Sequence, residues 1–285
     1  MKVLLLFPGI SGIGFNSYGK GMEESWISHG LCSISAFAKK EGYSVELVDL
    51  RYLKSWRHFE KTIVQKQPDV VGITMMSVDY KPAMKSIKII KKVLPKTIIV
   101  VGGPHPTIML KEIENEKNID YIITGEGERS FAELLRNIEK CQFSPRVIRG
   151  VVPEDLDELP FVDRDLFKNL EYPLPVEGFD SPFVTTIAGR GCRYNCNYCQ
   201  PAERIIFGKK VRRRSPANVI QELKILREKY AFKSMMIHDD CITEDRPWVI
   251  EFCRLYKENG FSQPFACQSR ADIICRNKDM VQLMA

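Results

Sequence analysis

The chain has 285 residues, 44% of them hydrophobic and 27% charged. That is material for one large or two medium globular domains, and it excludes a disordered, collagen-like or coiled-coil chain. The net charge is +6, with the whole basic excess in residues 1–150, an acidic stretch over 151–180 and a basic one over 190–214. A mild excess of this kind, without interleaved aromatics or a recognised module, points to no nucleic-acid partner. No run of about 18 consecutive apolar residues occurs, so no membrane span is expected.

The chain opens with Met1-Lys2-Val3-Leu4-Leu5-Leu6-Phe7-Pro8, an apolar run too short for a secretory signal, which reads as a first strand. Further strands are predicted at Ser44–Val48, Val70–Thr74, Thr97–Val101 and Tyr121–Thr124. The third and fourth are almost wholly apolar, as strands buried on both faces should be. Helical periodicity fills the intervals. In the last, Phe131, Leu134, Leu135 and Ile138 share one helix face. Strands alternating with helices predict a doubly wound α/β domain of the flavodoxin-like, Rossmann-like kind over residues 1–140, with its ligand site at the carboxyl ends of the strands.

Four loops, three of them glycine-bearing, fall at those ends. Pro8 to Gly14, including Gly12, follows the first strand, and Met75-Met76-Ser77 follows Thr74 at the end of the third. Gly102-Gly103-Pro104-His105-Pro106 follows the fourth strand and Gly125-Glu126-Gly127-Glu128 the fifth. Four such loops on one edge point to a bulky ligand lying close to backbone. Asp49 closes the second strand where a ribose-binding acid would sit. The dinucleotide fingerprint fails, however, because Gly12-x-Gly14 is followed by Ser17 and the first clear helix starts only near Gly30.

Residues 141–181 are acidic and carry Pro153, Pro160, Pro173 and Pro175, which predicts an extended linker between domains. Alternation resumes with strands at Phe183–Ala188, Ser234–His238 and Phe265–Ser269. Helices are predicted at Ala217–Tyr230, with Val219, Leu223 and Leu226 inward, at Pro247–Asn259 and at Asn277–Ala285. This is a second parallel α/β unit over 182–285, ending within its third repeat.

Nine cysteines, an odd number in a chain this long, argue against a disulfide framework and for a reducing cytoplasmic setting. Cys32, Cys141, Cys241, Cys253, Cys267 and Cys275 are expected to be small buried hydrophobes. Cys192, Cys196 and Cys199 form C-x3-C-x2-C directly after a predicted strand. Three thiolates in eight residues can wrap one metal centre. Zinc would call for a fourth Cys or His at matching spacing, and the next thiol is Cys241. Three ligands on a [4Fe–4S] cubane would leave one iron open to a substrate or cofactor.

This motif, with Tyr198 before its last cysteine, resembles the signature of the radical S-adenosylmethionine (SAM) superfamily. Phe207-Gly208-Lys209-Lys210-Val211-Arg212-Arg213-Arg214-Ser215-Pro216 and Ile237-His238-Asp239-Asp240-Cys241-Ile242-Thr243 resemble segments of its cobalamin-dependent branch. The N-terminal domain is similar to that branch's vitamin B12-binding domain through residues 68–74, 100–107 and 120–128, and Leu156-Asp157-Glu158-Leu159-Pro160 of the linker is alike too.

The resemblance implies that Cys192, Cys196 and Cys199 ligate a [4Fe–4S] cluster whose fourth iron chelates SAM. It implies SAM contacts from Tyr198, Asp239, Asp240, Gln268 and Arg270, and cobalamin contacts from Gly12, Thr74, Met75, Ser77, Gly102, Gly103, His105, Gly125, Glu126 and Gly127. The implied reaction is cleavage of SAM to a 5′-deoxyadenosyl radical, with methylation of an unactivated carbon or phosphorus centre of a small molecule. A flavodoxin or ferredoxin is the implied electron donor. A cyclase or rearrangement enzyme of the same branch, or a non-catalytic binding module, is the alternative.

Cobalamin domains that bind cobalt through histidine carry Asp-x-His-x-x-Gly. Aligned on Gly30, this sequence has Ser25 and Ile27 at the Asp and His positions, and His29 is misplaced by two. No protein histidine is therefore expected on cobalt. His105 reads as a loop residue near the cofactor and His58 as a residue of a solvated helix. Arg212–Arg214 reads as a solvated loop over the cluster, or as a contact for an anionic substrate or the SAM carboxylate. The family barrel has about six strand–helix repeats and this sequence supplies three strands. The expectation is therefore a fragment or a decayed gene product, or a half-barrel completed by another chain.

Overall fold

The computed structural model describes residues 1–9, 27–167, 178–199 and 202–285. Two compact units are present, Met1–Val152 with Pro160–Lys168, and Pro153–Leu159 with Asn169–Ala285.

The first unit is built on β1 (Lys2–Phe7), β2 (Ser44–Asp49), β3 (Val70–Thr74), β4 (Ile98–Gly102), β5 (Tyr121–Thr124) and β6 (Val147–Arg149). These form one sheet in the order β2-β1-β3-β4-β5-β6 with every pair parallel. β1 and β3 are apolar through almost their whole length because each has neighbours on both sides and helices over both faces. One face packs on Phe59, Ile63, Ile87 and Ile90 from the helices Trp56–Lys66 and Tyr80–Val93. The other packs on Leu31, Phe131, Leu134 and Leu135 from His29–Lys40 and Glu128–Glu139. Two apolar layers against one parallel sheet give the doubly wound architecture that the alternation predicts.

Asp49 has a structural task in place of a ribose. Its carboxylate caps the turn Leu50–Tyr52 and pairs with Arg51 at 2.7 Å, both side chains at most 4% exposed. Arg51 in turn lies 4.6 Å over the Phe7 ring.

The linker expected over 141–181 is corrected in three places. Val147–Arg149 is a sixth strand, paired with β5. Residues 160–167 return to the first unit, where Leu166 and Phe167 enter the core and Asp163 accepts from Ser35 and Lys39 at 2.6 Å each. Residues 153–159 belong to the second unit, with Arg212 donating to the Pro153 carbonyl at 2.9 Å. Scattered apolar residues between the acids bury separately, which averaging over the stretch conceals. Pro173 and Pro175 lie outside the described residues.

The second unit has a parallel sheet ordered β11-β10-β7, made of β7 (Phe183–Thr186), β10 (Ser234–Ile237) and β11 (Phe265–Cys267). Beside it β8 (Gly189–Arg190) pairs antiparallel with β9 (Arg212–Arg213). Val219, Leu223 and Leu226 of the helix Pro216–Tyr230 and Phe252 of Arg246–Glu258 fill its core. The last expected helix is present as Lys278–Met284, and a further short helix, Ala271–Arg276, precedes it. Asn277 ends Ala271–Arg276 by returning both its backbone N–H and its side-chain amide to the Ile273 carbonyl.

Candidate functional site

The loop carrying Cys192, Cys196 and Cys199 leaves the sheet just past the carboxyl end of β7. Because β7, β10 and β11 are parallel, Asp239 and Asp240 after β10, and Gln268 and Arg270 after β11, emerge on the same edge. All nine thiols are unbonded. Cys192 and Cys196 are half-buried and Cys199 exposed, whereas Cys141 and Cys275, expected to be buried, are exposed. Burial raises the Cys192 thiol above its ordinary value. A turn from the Cys199 N–H to the Cys196 carbonyl at 3.0 Å shapes the loop.

A charged network anchors this loop from below. Arg193, inside the motif, pairs with Glu244 at 3.1 Å, and that carboxylate is 1% exposed. Arg213 of β9 bonds the same Glu244 at 3.1 Å, the Cys241 carbonyl at 3.2 Å and Asp239 at 2.9 Å. Asp239 accepts from the Ala188 N–H at 2.7 Å, fastening the end of β7 to the end of β10. Burial raises the Asp239 carboxyl although Ala188 and Arg213 oppose it. This side chain, expected on SAM, is turned inward with both oxygens engaged. Asp239→Asn is therefore expected to destabilise the second unit by about 3–5 kcal/mol, the cost of breaking a buried ion pair from one side. Urea unfolding would show it, and an unchanged midpoint would return Asp239 to a surface role.

The arginine run is corrected as well. Arg212 is 6% exposed, Arg213 holds the acids just described, and Arg214 pairs with Glu222 and donates to the Ile187 carbonyl at 3.1 Å. Arg213 and Arg214 are thus held on buried carboxylates and Arg212 on a buried carbonyl, so they are framework rather than a solvated loop. Glu203, which sequence reasoning passed over, shares a hydrogen bond with Asp240, and burial followed by that neighbour pushes its carboxyl up to about 7.

Tyr198 is 89% exposed. Asp240 and Gln268 are exposed and Arg270 is half-buried. Arg270 reaches across to the motif, with Nη1 3.4 Å from Cys196 Sγ, and Tyr198 inside the motif also hydrogen-bonds the Cys196 side chain. Among the described residues no three metal-ligating side chains converge closely enough for a single ion. The donor set is three unbonded thiols on one loop, with a guanidinium on one sulfur. Cysteine thiolates are the donors that hold iron–sulfur clusters, so the chemistry of this set fits one.

The first unit's edge is tied loop to loop. The Met75 N–H donates to the Gly102 carbonyl and the His105 N–H to the Met75 carbonyl, both at 2.9 Å. Thr107 Oγ1 accepts from the Gly125 N–H and donates to the Gly103 carbonyl, both at 2.8 Å. Gly103 has φ +103° and a Cβ there would lie 3.0 Å from Thr74 Oγ1, so both conformation and space require glycine. Met75, His105 and Glu126 are buried beneath this edge. His105 Nδ1 is 3.1 Å from Ser77 Oγ, Nε2 is 3.7 Å from Glu112, and burial lowers its pKa. Thr74, Ser77, Gly102, Gly103, Gly125 and Gly127 stay at the surface, and above Gly125 the space is open. That cradle of surface backbone fits a large flat cofactor. Gly12 lies outside the described residues. Ile27, at the position of a cobalt-binding histidine, is buried in the core. His58 sits on the exposed side of the helix Trp56–Lys66.

The chain thus pairs a parallel sheet carrying these loops with a unit that holds a three-cysteine loop. Residues 21–135 match the B12 binding domain family. An uncharacterized methyltransferase of Pyrococcus horikoshii is 27% identical over 95% of this chain and 60% of its own length. The cytidylyl-2-hydroxyethylphosphonate methyltransferase of Streptomyces wedmorensis is 26% identical over 100% of this chain and 62% of its own. The cobalamin-dependent S-adenosylmethionine radical enzyme OxsB, solved with aqua-cobalamin and S-adenosylmethionine bound, shares the fold with a TM-score of 0.73 at 16% identity, over 99% of this chain and 42% of that one. Residues 21–135 thus carry the B12-binding-domain match, while the chain as a whole is similar to these methyltransferases and shares its fold with a cobalamin-dependent radical SAM enzyme. It spans about 60% of the length of the first two relatives.

Proposed function

We propose that this chain works in a cobalamin-dependent radical SAM methyltransferase that modifies a small molecule. The observation that carries the reading is the C-x3-C-x2-C loop, with unbonded thiols, at the carboxyl edge of a parallel α/β unit in a chain that also has a B12-binding domain. When bound, the cluster would supply the electron that splits SAM, and cobalamin would carry a methyl group. The chain's own residues hold and orient these groups. Cys192, Cys196 and Cys199 are the cluster ligands. Tyr198, Asp240, Gln268 and Arg270 line the SAM side, with Asp239 acting through the framework beneath. Thr74, Ser77, Gly102, Gly103, Gly125 and Gly127 present backbone and short side chains to cobalamin, while Met75, His105 and Glu126 support them.

A flavodoxin- or ferredoxin-type donor in the cytoplasm suits a protein whose nine thiols are all unbonded. Among the described residues no helix is long and apolar enough to cross a membrane.

Anaerobic reconstitution with iron and sulfide, followed by EPR of the reduced protein with and without SAM, tests the reading, together with hydroxocobalamin uptake measured by absorbance. A cluster signal that SAM shifts, with stoichiometric cobalamin, is expected. A cluster indifferent to SAM, or zinc in its place, would overturn it.

A further inference from the structure

Arg270 lies just past β11, and its side chain crosses back to the cysteine loop. Besides the 3.4 Å contact to Cys196 Sγ, its guanidinium carbon sits 4.1 Å from the centre of the Tyr194 ring and its Nε bonds Asp272 Oδ1 at 2.9 Å. The ring fixes the plane of the guanidinium and Asp272 fixes one edge, so the other edge is aimed at the sulfur. The other arginines of the site are committed elsewhere, Arg193 to Glu244 and Arg213 to Asp239 and Glu244.

We infer that Arg270 raises the reduction potential of a [4Fe–4S] cluster held by Cys192, Cys196 and Cys199, by donating a hydrogen bond to Cys196 Sγ. The inference rests on the cluster reading proposed above. An external low-potential donor gives one electron to the cluster and is itself oxidised, and no bond breaks and no proton moves. That electron adds negative charge, part of which spreads onto the cysteine sulfurs. Hydrogen bonds to those sulfurs and local net charge are among the levers that set such potentials. Arginine keeps its charge at all working pH values, so Arg270 favours the reduced state more than the oxidised one. The contact is partly buried, where salt screens it less than it would at the surface.

An EPR-monitored dithionite titration without SAM tests this on reconstituted native protein, Arg270→Gln, Arg270→Lys and Arg276→Gln, with iron and sulfide content measured in each. In Arg270→Gln the reduced-to-oxidised ratio at a fixed potential is expected to fall at least about tenfold, which is 59 mV for one electron. Arg270→Lys keeps the charge without the planar fork and should fall between. Arg276→Gln removes the same charge from the exposed end of the same helix and should stay within about threefold of native. A native ratio in Arg270→Gln with the cluster intact overturns the inference, and so does an equal fall in Arg276→Gln. Should the Gln variant hold no cluster, a native ratio in Arg270→Lys overturns it. Failure of the native chain to assemble any cluster is a different result, which removes the cluster reading and this inference together.

Discussion

Replacing any one of Cys192, Cys196 and Cys199 by alanine is expected to abolish the iron–sulfur signal of the reconstituted protein, whereas Cys141→Ser and Cys275→Ser leave it intact. Loss of a mere outer-shell partner costs about 10–100-fold in metal affinity, and loss of a ligand costs more. With three thiols on one loop there is no spare in the motif. The nearest thiol in sequence, Cys241, is 4% exposed and packed in the core, so it cannot substitute without opening the second unit. Cys141 and Cys275 are exposed and outside the loop, which makes them controls for oxidation and adventitious iron. Iron content, sulfide content and EPR after desalting decide the matter. A full signal in any of the three single variants would show that the motif is not the ligand set.

Gly150→Ala should act on the other unit. The Gly150 N–H donates to the Thr124 carbonyl at 2.7 Å, continuing the β5–β6 ladder to the base of the Gly125-Glu126-Gly127 loop. A Cβ there would lie 2.0 Å from the Glu126 carbonyl oxygen and 2.8 Å from its nitrogen. Those are backbone atoms, which cannot rotate away as a side chain can, so either the strand end or the loop must move. Overpacking of this kind costs about 1–3 kcal/mol, and each kcal/mol is about 2–4 °C of Tm for a domain of this size. Because the displaced loop is one that the cobalamin proposal uses, hydroxocobalamin affinity should fall at least about tenfold, about 1.4 kcal/mol. The iron–sulfur signal of the second unit should persist. Unchanged Tm and unchanged cobalamin uptake would show that the loop is not held by Gly150.

Much of this was legible along the chain, for reasons tied to particular residues. Strands such as Val70–Thr74 are apolar throughout, and the helix with Phe131, Leu134 and Leu135 shows one clean face, so the doubly wound order follows from alternation alone. The cysteine spacing is local chemistry and needs no tertiary context to be recognised. β6 was hidden because three edge residues, two of them exposed, beside an acidic, proline-bearing stretch carry no periodic signal. The roles of Asp239 and Arg212–Arg214 were hidden for another reason. A charged residue looks the same in sequence whether it meets solvent or a buried partner, and only the partner's position in space distinguishes the two.

By itself, then, the sequence determined the alternating α/β architecture, the places of the first five strands along the chain and the three thiols. Each of these is written in near-neighbour patterns of hydrophobicity or ligand spacing. The tertiary structure alone decided which of the edge residues remain at the surface, that the acidic stretch is divided between two units, and that buried Asp239 and Glu244 hold Arg213 and the exposed Arg193 of the cysteine loop in one network. It also decided that Arg270 turns back onto Cys196, 74 residues away along the chain. Such contacts depend on parallel strands bringing their carboxyl ends to one edge, and no local pattern encodes that meeting.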